Sequence, residues 1–274
     1  MTEFSGNLFL LNGELTPTAS AEHCFRPGKH YIYEVFRVID GIPLFIEDHL
    51  GRFFQTLEIV GHARPYGYDA MLHQVMELIE ANGKPDGNIK ISMAPDATGK
   101  ENLLIYYTPH QYPSPQQFSG GVPVKLLQAM RVNPQAKVMD VALRAETDAL
   151  KSPEAYEILL VDEEGFITEG SRSNVFFILN GKLITSPSET VLSGVTRKQV
   201  IAVCRAHGIE VEEQKFAAAQ LPAAEAVFLT GTSRKVLPVC RVDALDYPVN
   251  NPLMLEVKRL FDAHIEQYLS ERKI

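Results

Sequence analysis

The stretch that most constrains the fold runs from residue 157 to residue 184, with the sequence EILLVDEEGFITEGSRSNVFFILNGKLI. Apolar runs alternate there with Glu-Gly and Asn-Gly pairs, a pattern that predicts strands joined by tight turns. Between two of these runs lies a polar block, residues 168–174, which contains Glu169. A carboxylate among buried strands is costly unless it has a partner. The block is therefore interpreted either as a hairpin turn with an exposed Glu169 or as a binding site built on that carboxylate.

The composition narrows the class of protein. With 274 residues, 45% of them hydrophobic and 22% charged, the chain is suited to one large or two small globular domains. Its formal net charge of −8 argues against a nucleic-acid partner, which usually needs a basic face. No apolar run approaches membrane-spanning length, and residues 1–4 lack the positive start of a secretory signal. The three cysteines, Cys24, Cys204 and Cys240, are far apart in the sequence, so no disulfide framework is expected and the expected location is cytoplasmic. The histidines show no paired ligand spacing, so no metal site is expected.

Strand and helix patterns alternate along the chain, which predicts a mixed α/β fold. The first part is predicted to contain a hairpin around Asn12-Gly13, a strand over residues 30–39, a helix capped by Asp48, a helix over 68–81, and strands over 88–93 and 103–107. Residues 109–123 are rich in proline and glycine, which indicates a linker. The predicted organisation is an N-terminal α/β domain of residues 1–113, a linker of residues 114–123 and a C-terminal domain of residues 124–274.

Three lysines are candidates for a nucleophilic amine in the second part of the chain. Lys137 is predicted at the start of a helix over residues 138–150, where the positive end of the helix dipole disfavours a charged amine. Lys151 follows that helix in a Ser-Pro turn and is expected to be freely solvated. Lys125 lies within a predicted strand, and the pattern alone does not exclude it.

Two loops of the second part predict anion binding. Residues 194–197, Gly-Val-Thr-Arg, open a predicted helix, and a glycine-led helix start presents backbone N–H groups to an anion. Residues 230–233, Thr-Gly-Thr-Ser, form a hydroxyl-rich loop. Together with Glu169 and an upstream lysine, these loops suit a cofactor that carries a phosphate, a protonatable ring nitrogen and an aldehyde.

Two arginines of the first part are candidates for binding an anion. Alternation along residues 31–38 places Tyr31, Tyr33 and Arg37 on one face of a strand, and an arginine beside two tyrosines is suited to a carboxylate. Arg52, near the start of the first helix, is suited to bind an anion with both ends of its guanidinium. For each arginine the alternative is a solvated surface residue.

Taken together, these motifs resemble the class IV aminotransferases, also called the fold type IV pyridoxal-phosphate enzymes. That family includes branched-chain aminotransferases, D-amino-acid aminotransferases and aminodeoxychorismate lyase. The resemblance covers nearly the whole chain and is carried by NGEL at 12–15, YEVFRV at 33–38, EDHLGR at 47–52, Lys137, ITEGSRSNVF at 167–176, SGVTR at 193–197 and TGTSRKVLPV at 230–239. It implies a smaller N-terminal α/β sandwich, a larger C-terminal α/β barrel-like domain, pyridoxal 5′-phosphate as cofactor, and a homodimer.

The resemblance also implies a role for each matching residue. Lys137 forms the Schiff base with the cofactor and acts as general base. Glu169 faces the pyridine nitrogen and keeps it protonated. Arg52 pairs with the cofactor phosphate, which Val195 and Thr196 cradle at the helix start. The other implied cofactor contacts are Ser173, Asn174, Leu192 and Thr232, and the implied substrate contacts are Tyr33, Arg37, Gly231, Thr232 and Ser233.

The function implied is transfer of an amino group between a small amino acid, branched-chain amino acids included, and a 2-oxo acid. The alternatives are a 4-amino-4-deoxychorismate lyase that eliminates pyruvate and a non-catalytic protein that keeps the fold. The pair Glu34-Val35 favours the aminotransferases, because the lyases tend to have threonine there. Asp140 replaces a common asparagine, and residues 91–95 lack the arginine of the D-amino-acid enzymes. Lys90, next to that position, is expected to be a surface lysine.

Overall fold

The computed structural model describes residues 3–23, 30–96 and 98–273, so that Cys24 lies outside the described residues. The chain divides into two compact units. The first unit consists of residues Met1–Gln111, Ala136–Val141 and Tyr268–Ile274. The second consists of residues 112–135 and 142–267. Lys137 therefore belongs to the first unit, although the residues on both sides of its short segment belong to the second.

The strands and helices follow one another through both units. The strands are β1 (Ser5–Leu11), β2 (Glu14–Pro17), β3 (His30–Ile39), β4 (Ile42–Pro43), β5 (Gly87–Pro95), β6 (Glu101–Thr108), β7 (Val122–Gln128), β8 (Val138–Asp140), β9 (Glu157–Val161), β10 (Phe166–Gly170), β11 (Asn174–Leu179), β12 (Lys182–Thr185), β13 (Val211–Glu213), β14 (Phe216–Ala217), β15 (Ala226–Gly231), β16 (Lys235–Val242) and β17 (Leu245–Asp246). The helices are α1 (Ile46–Ile59), α2 (Tyr68–Ala81), α3 (Pro115–Gly120), α4 (Val141–Leu150), α5 (Val195–Ala206) and α6 (Pro252–Ser270).

The sheet of the first unit has the strand order β2-β1-β6-β5-β3-β4, and β8 also pairs with β3. Its pairs are antiparallel. The hairpin β1–β2 turns at Asn12 and Gly13, whose φ angles of 52° and 89° are the positive values that a type I′ turn requires. This hairpin and the strand over residues 30–39 are confirmed.

Helices α1 and α2 pack their apolar faces against the strands of the first unit. Their buried side chains pack with β3, β5 and β6 in a cluster that includes Phe36, Leu50, Phe53, Leu57, Val75, Leu78, Ile89 and Ile105. The predicted bounds of α2 are confirmed, but the predicted cap of α1 at Asp48 is wrong. Phe45 precedes the helix in a left-handed conformation, and its buried ring packs against Tyr268 at 4.8 Å. The start of α1 is thus set by the burial of this ring and not by a side-chain cap.

The helix predicted over residues 138–150 is also wrong in its first turn. Residues 138–140 form strand β8, which pairs with β3, and α4 begins only at Val141. Val138 packs against the apolar core of the first unit, so that a long-range strand pairing overrides the local helix preference. Lys137 thus precedes a strand, and the argument from a helix dipole does not apply to its amine.

The second unit contains one large mixed sheet. Its order is β13-β12-β11-β15-β16-β7-β9-β10-β14, with β17 paired to β16. The pairs β16–β7, β7–β9 and β12–β13 are parallel, and the others are antiparallel. Buried aromatic pairs hold its core, with the rings of Phe177 and Phe216 stacked 3.9 Å apart.

Residues 115–120, within the expected linker, form the short helix α3. Ser114 accepts a hydrogen bond from the N–H of Gln117, whose side chain bonds back to the N–H of Ser114, and Pro115 occupies the first helical position. In the part of the chain that the structure describes, no helix is both long and apolar enough to span a membrane.

Candidate active site

The backbone of Lys137 is fixed within the first unit. Its N–H donates to the Oγ1 of Thr56, on α1, at 3.1 Å, and its carbonyl accepts from the N–H of Tyr33, on β3, at 3.1 Å. Its half-buried side chain places Nζ 4.7 Å from the centre of the Tyr33 ring. An ammonium over an aromatic face is stabilised by a cation–π contact. Tyr33 and Lys137, predicted for the same site, are therefore neighbours.

Arg52 is held by a carboxylate that the sequence analysis did not assign to the site. Its Nε lies 2.9 Å from Oε2 of Glu34 and its Nη2 lies 2.6 Å from Oε1, while Nδ1 of His49 lies 3.0 Å from the same Oε1. All three side chains are buried. Burial alone would raise the pKa of Glu34, but the Arg52 guanidinium and the His49 ring hold that pKa well below its usual range. Contact of Arg52 with a phosphate stays a prediction.

The sequence did contain a signal for this group. Alternation along β3 puts Glu34 on the same face as Ile32, Phe36 and Val38, which lie in the apolar core beneath α1 and α2. A carboxylate on an apolar face requires a cationic partner in the elements packed against it. Arg52, on α1, is that partner.

Replacing Glu34 with glutamine is expected to lower the free energy of unfolding by about 3–5 kcal/mol, because it removes the carboxylate that forms a buried ion pair with Arg52. Urea unfolding at neutral pH measures the change. Glu58→Gln is the matched control in the same unit, because it breaks an ion pair with Arg64 in which both side chains are exposed. Glu58→Gln is expected to lower the free energy of unfolding by less than about 1 kcal/mol.

The pH dependence of this difference follows from the lowered pKa of Glu34. The stability that ionised Glu34 contributes is complete above its unfolded-state pKa, about 4.3. This stability is lost as the pH falls through the lower folded-state pKa. The gap in stability between the wild type and Glu34→Gln should stay constant near neutral pH and shrink in acid. A gap that persists unchanged in acid would show that Arg52 does not depend on the charge of Glu34.

Glu169 lies at the end of β10 in the second unit and is only 3% exposed. Its Oε1 lies 2.9 Å from Nε of Arg131, and its Oε2 accepts from the N–H of Leu192 at 3.4 Å. The Nη2 of Arg131 also donates to the carbonyl of Ser171 at 2.8 Å. The interpretation of Glu169 as an exposed turn residue is wrong. Its cationic partner was missed because Arg131 lies in an irregular segment beside the 93% exposed Val132, where no periodic pattern marks it.

The helix start predicted at Gly194 is confirmed. Gly194 is the N-cap of α5, and Val195 and Thr196 are buried in its first turn. Nδ2 of Asn174 donates to the carbonyl of Leu192 at 3.0 Å, and a Cβ on Gly194 would come within 1.9 Å of Oδ1 of Asn174. Only glycine leaves room for Asn174 there. The structure thus brings together Glu169, Asn174, Leu192 and the start of α5, which the family resemblance assigns to one site.

The hydroxyl-rich loop after β15 is joined to the loop after β10 by a buried carboxylate. Glu157, at the start of β9, is fully buried and has Oε2 3.0 Å from Nη2 of Arg234. The hydroxyls of Ser171 and Ser173 lie 2.5 Å and 3.2 Å from its carboxylate oxygens. Ser173, predicted to contact the cofactor, therefore donates to Glu157. This carboxylate was missed, although it lies directly before the apolar run of residues 158–161.

The remaining residues predicted to contact the cofactor or the substrate lie on β15, in the turn that follows it, or on β3. Thr232 and Ser233 lie in the turn between β15 and β16, directly after Gly231. Thr230, on β15, is fully buried, and its Oγ1 has no hydrogen-bond partner among the described residues. Arg37 is half-buried on β3.

Neither rival lysine is placed like Lys137. Lys151, expected to be freely solvated, is only 21% exposed, and its Nζ lies 3.2 Å from Asp148 and 3.7 Å from Glu157. That expectation is wrong because two carboxylates draw the ammonium toward the sheet. Lys125 is exposed on β7. Lys151 thus serves a structural ion pair, and Lys125 faces solvent.

Known proteins resemble the chain over most of its length. The family model for Amino-transferase class IV matches residues 31–242. The chain is 26% identical to the putative branched-chain-amino-acid aminotransferase of Methanocaldococcus jannaschii over 91% of this chain and 92% of that protein. It is 24% identical to the D-alanine aminotransferase of Bacillus licheniformis over 77% of this chain and 78% of that protein.

One solved structure shows the same fold. It is the branched-chain aminotransferase of the thermophilic archaeon Thermoproteus uzoniensis with norvaline, which is similar to this chain with a TM-score of 0.82 and 20% identity. The match covers 95% of this chain and 95% of the other. The expected fold class is confirmed by this likeness.

Proposed function

The chain belongs to the class IV aminotransferase family, and we propose that it uses pyridoxal 5′-phosphate to move an amino group between a branched-chain amino acid and a 2-oxo acid. The observation that carries the proposal is the placement of Lys137, whose backbone is bonded to β3 and α1 while its amine lies over the Tyr33 ring. Tyr31, Tyr33, Val35, Ala94 and Met139 pack in one apolar cluster beside it. That cluster suits an apolar substrate side chain.

The residue types fit the three polar groups of the cofactor. The start of α5 offers backbone N–H groups to a phosphate, because its N-cap is a glycine with no side chain to accept them. The Glu169 carboxylate, whose charge Arg131 offsets, suits a protonated ring nitrogen. The Lys137 amine suits an aldehyde. The Oγ1 of Thr230, buried without a protein partner among the described residues, is a further group that a ligand can satisfy.

Each residue then has a defined task in the reaction. When bound, the cofactor supplies an electron sink for the charge left at the substrate's Cα. Lys137 would take the proton from Cα and deliver it to the aldehyde carbon of the cofactor, which then keeps the amino group. Tyr33 faces the resulting ammonium and stabilises it by a cation–π contact. Glu169 holds a proton at the ring nitrogen of the cofactor, and Arg131 keeps the carboxylate in position. Two such half-reactions, first with an amino acid and then with a 2-oxo acid, complete the transfer.

Borohydride reduction followed by peptide mapping tests the cofactor and the nucleophile together. Purified protein with pyridoxal 5′-phosphate is expected to absorb in the visible range, to lose that band on reduction, and to carry the pyridoxyl label on Lys137. A label on Lys151 or Lys125 would contradict the assignment of the nucleophile. Absence of a chromophore with added cofactor would contradict the enzyme function.

A donor panel tests the substrate class. Leucine, isoleucine and valine, each paired with a 2-oxo acid, are expected to be better donors than D-alanine and L-lysine. Release of pyruvate from aminodeoxychorismate without any 2-oxo acid acceptor would instead support the lyase.

A homodimer is also proposed, as the family resemblance implies. Large apolar side chains of the second unit are open to solvent, with Val132 93% exposed and Met130 56% exposed. A contiguous exposed apolar patch marks a surface that a partner covers, and we propose that these two side chains belong to such a patch. Light scattering should give twice the chain mass, and Val132→Asp should lower that mass toward the monomer.

The proposed location is cytoplasmic. In the described part of the chain, Cys204 and Cys240 are both unbonded thiols, which suits a reducing compartment. Cell fractionation tests this location.

A further inference from the structure

The first turn of α5 contains a buried arginine for which the proposed function gives no task. Arg197 is the third residue of this helix and is only 4% exposed. Burying a guanidinium is costly unless acceptors surround it. Its Nη2 lies 2.7 Å from the carbonyl oxygen of Ser186 and 2.8 Å from Oε2 of Glu213. Arg197 therefore holds the start of α5 to the residue that follows β12 and to the end of β13.

Ser186 extends this connection to the strand that carries Glu169. The Oγ of Ser186 is buried and lies 2.9 Å from the carbonyl oxygen of Ile167 and 2.7 Å from that of Thr168. Because a hydroxyl donates one proton, the two carbonyls share it. Thr168 directly precedes Glu169 in β10. A chain of hydrogen bonds thus runs from Arg197 through Ser186 to the strand of the carboxylate.

This chain of hydrogen bonds joins the two groups that suit the two ends of the proposed cofactor. A phosphate suits the start of α5, and a protonated ring nitrogen suits Glu169. A second connection between the two regions runs from the N–H of Leu192 to Oε2 of Glu169, and it is longer, at 3.4 Å. The bonds through Arg197 and Ser186 are shorter and buried. They are therefore the firmer connection between the two regions.

The separation of the two regions matters because the phosphate and the ring belong to one small molecule. A ligand with two linked groups gains affinity over either group alone only where both sites stand at the separation that the ligand needs. Holding the sites at that separation before binding reduces the entropy lost on binding. Loosening the separation should therefore weaken binding of the whole ligand and spare the binding of its parts.

We propose that Arg197 is a positioning residue, which sets the separation between the phosphate site at the start of α5 and the carboxylate of Glu169. It acts through Ser186 and β10, and its guanidinium is not itself a ligand of the phosphate. This inference rests on the proposed function, since it assumes that the cofactor places its phosphate at α5 and its ring nitrogen at Glu169.

Calorimetric titration of the full-length protein with pyridoxamine 5′-phosphate, pyridoxamine and inorganic phosphate tests this role without turnover. The two pyridoxamine compounds carry an amine in place of the aldehyde, so their binding does not depend on reaction with Lys137. Arg197→Met should bind pyridoxamine 5′-phosphate about tenfold more weakly than the wild type, the size of one hydrogen bond to a charged group. Its affinities for pyridoxamine and for inorganic phosphate should not change. Arg197→Lys, which keeps a charged donor, should recover part of the loss.

Arg205→Met is the matched control. Arg205 lies in the last turn of the same helix, is 53% exposed, and has Nη2 3.0 Å from Oε1 of the same Glu213. Its loss should leave all three affinities unchanged. Because Arg205 remains beside Glu213 in Arg197→Met, that variant does not leave the carboxylate without a cation.

Ser186→Ala tests the same connection at its other end, and it keeps the test decisive if Arg197→Met does not fold. It removes the hydroxyl that bonds to β10 but keeps the backbone carbonyl that accepts from Arg197. Ser186→Ala should also weaken binding of pyridoxamine 5′-phosphate and leave binding of inorganic phosphate unchanged.

Two results would overturn the proposal while the proposed function stands. Equal losses for pyridoxamine 5′-phosphate and inorganic phosphate would show that Arg197 only keeps α5 folded. Wild-type affinity for pyridoxamine 5′-phosphate in Arg197→Met, or in Ser186→Ala, would show that other contacts set the separation. A wild-type protein that binds no pyridoxamine 5′-phosphate would refute the proposed cofactor itself, and the positioning role with it.

Discussion

Replacing Lys137 with alanine is expected to lower kcat for transamination by at least about 10³-fold, near the upper range for loss of a general base. The proton at the substrate's Cα then has no amine in the protein to accept it. The backbone bonds of residue 137 with Thr56 and Tyr33 do not involve its side chain and remain possible in the variant. The loss should therefore appear in kcat, with the midpoint of urea unfolding close to that of the wild type.

The measurement is a single-turnover assay with leucine, together with borohydride labelling. Lys125→Ala is the matched control, since it removes an exposed lysine of the same size from β7. Addition of free ethylamine should restore part of the activity of Lys137→Ala, because a small amine can replace the missing proton acceptor. Activity that persists in Lys137→Ala, or a pyridoxyl label that moves to Lys151, would show that another lysine is the nucleophile.

Replacing Glu169 with glutamine is expected to weaken cofactor binding on the order of 10²-fold, because truncating one partner of a buried, hydrogen-bonded charge pair costs about 2–5 kcal/mol. Glutamine is nearly the same size and keeps a group that can accept from the N–H of Leu192. It carries no charge to hold the proton of the ring nitrogen, so kcat should fall as well. Titration of the protein with pyridoxal 5′-phosphate, followed by its absorption, measures the affinity.

Glu169→Gln also leaves Arg131 without its counter-charge, and that cost in stability must be separated from the cost in cofactor binding. The double variant Glu169→Gln with Arg131→Gln removes both charges. It should regain most of the lost free energy of unfolding but none of the lost cofactor affinity. If the double variant recovers cofactor affinity, Glu169 acts only as a structural partner of Arg131.

Local patterns in the sequence were sufficient to predict those elements whose conformation depends only on residues close by in the chain. The positive φ angles at Asn12 and Gly13 follow from the turn chemistry of those two residues, and the start of α5 follows from Gly194. The apolar spacing within residues 68–81 likewise defined α2. The polar block around Glu169 indicated a candidate site for the same reason, since a carboxylate between two apolar runs is visible without knowledge of the fold.

Features that depend on distant partners were not predictable in this way. Residues 138–140 have a local preference for helix, and only pairing with β3, roughly a hundred residues earlier, makes them a strand. The sequence showed that Glu169 needs a partner but offered no means of choosing Arg131. Lys90 was misjudged for the same reason, because its burial depends on tyrosines of β3 and on Glu3.

The return of residues 136–141 to the first unit has a consequence for how this chain can be divided. Strand β8 covers the edge of β3 at residues 30–32, and Tyr268 hydrogen-bonds to the backbone at Pro43 and Ile46. A fragment that ends at residue 111 would lack both and would expose an unpaired strand edge, which favours aggregation. The segment that carries the proposed nucleophile, Lys137, thus also contains a protective edge strand. We therefore expect the first unit to fold only as part of the whole chain. Because its three segments are separated along the sequence, a single cut cannot release it as an independent domain.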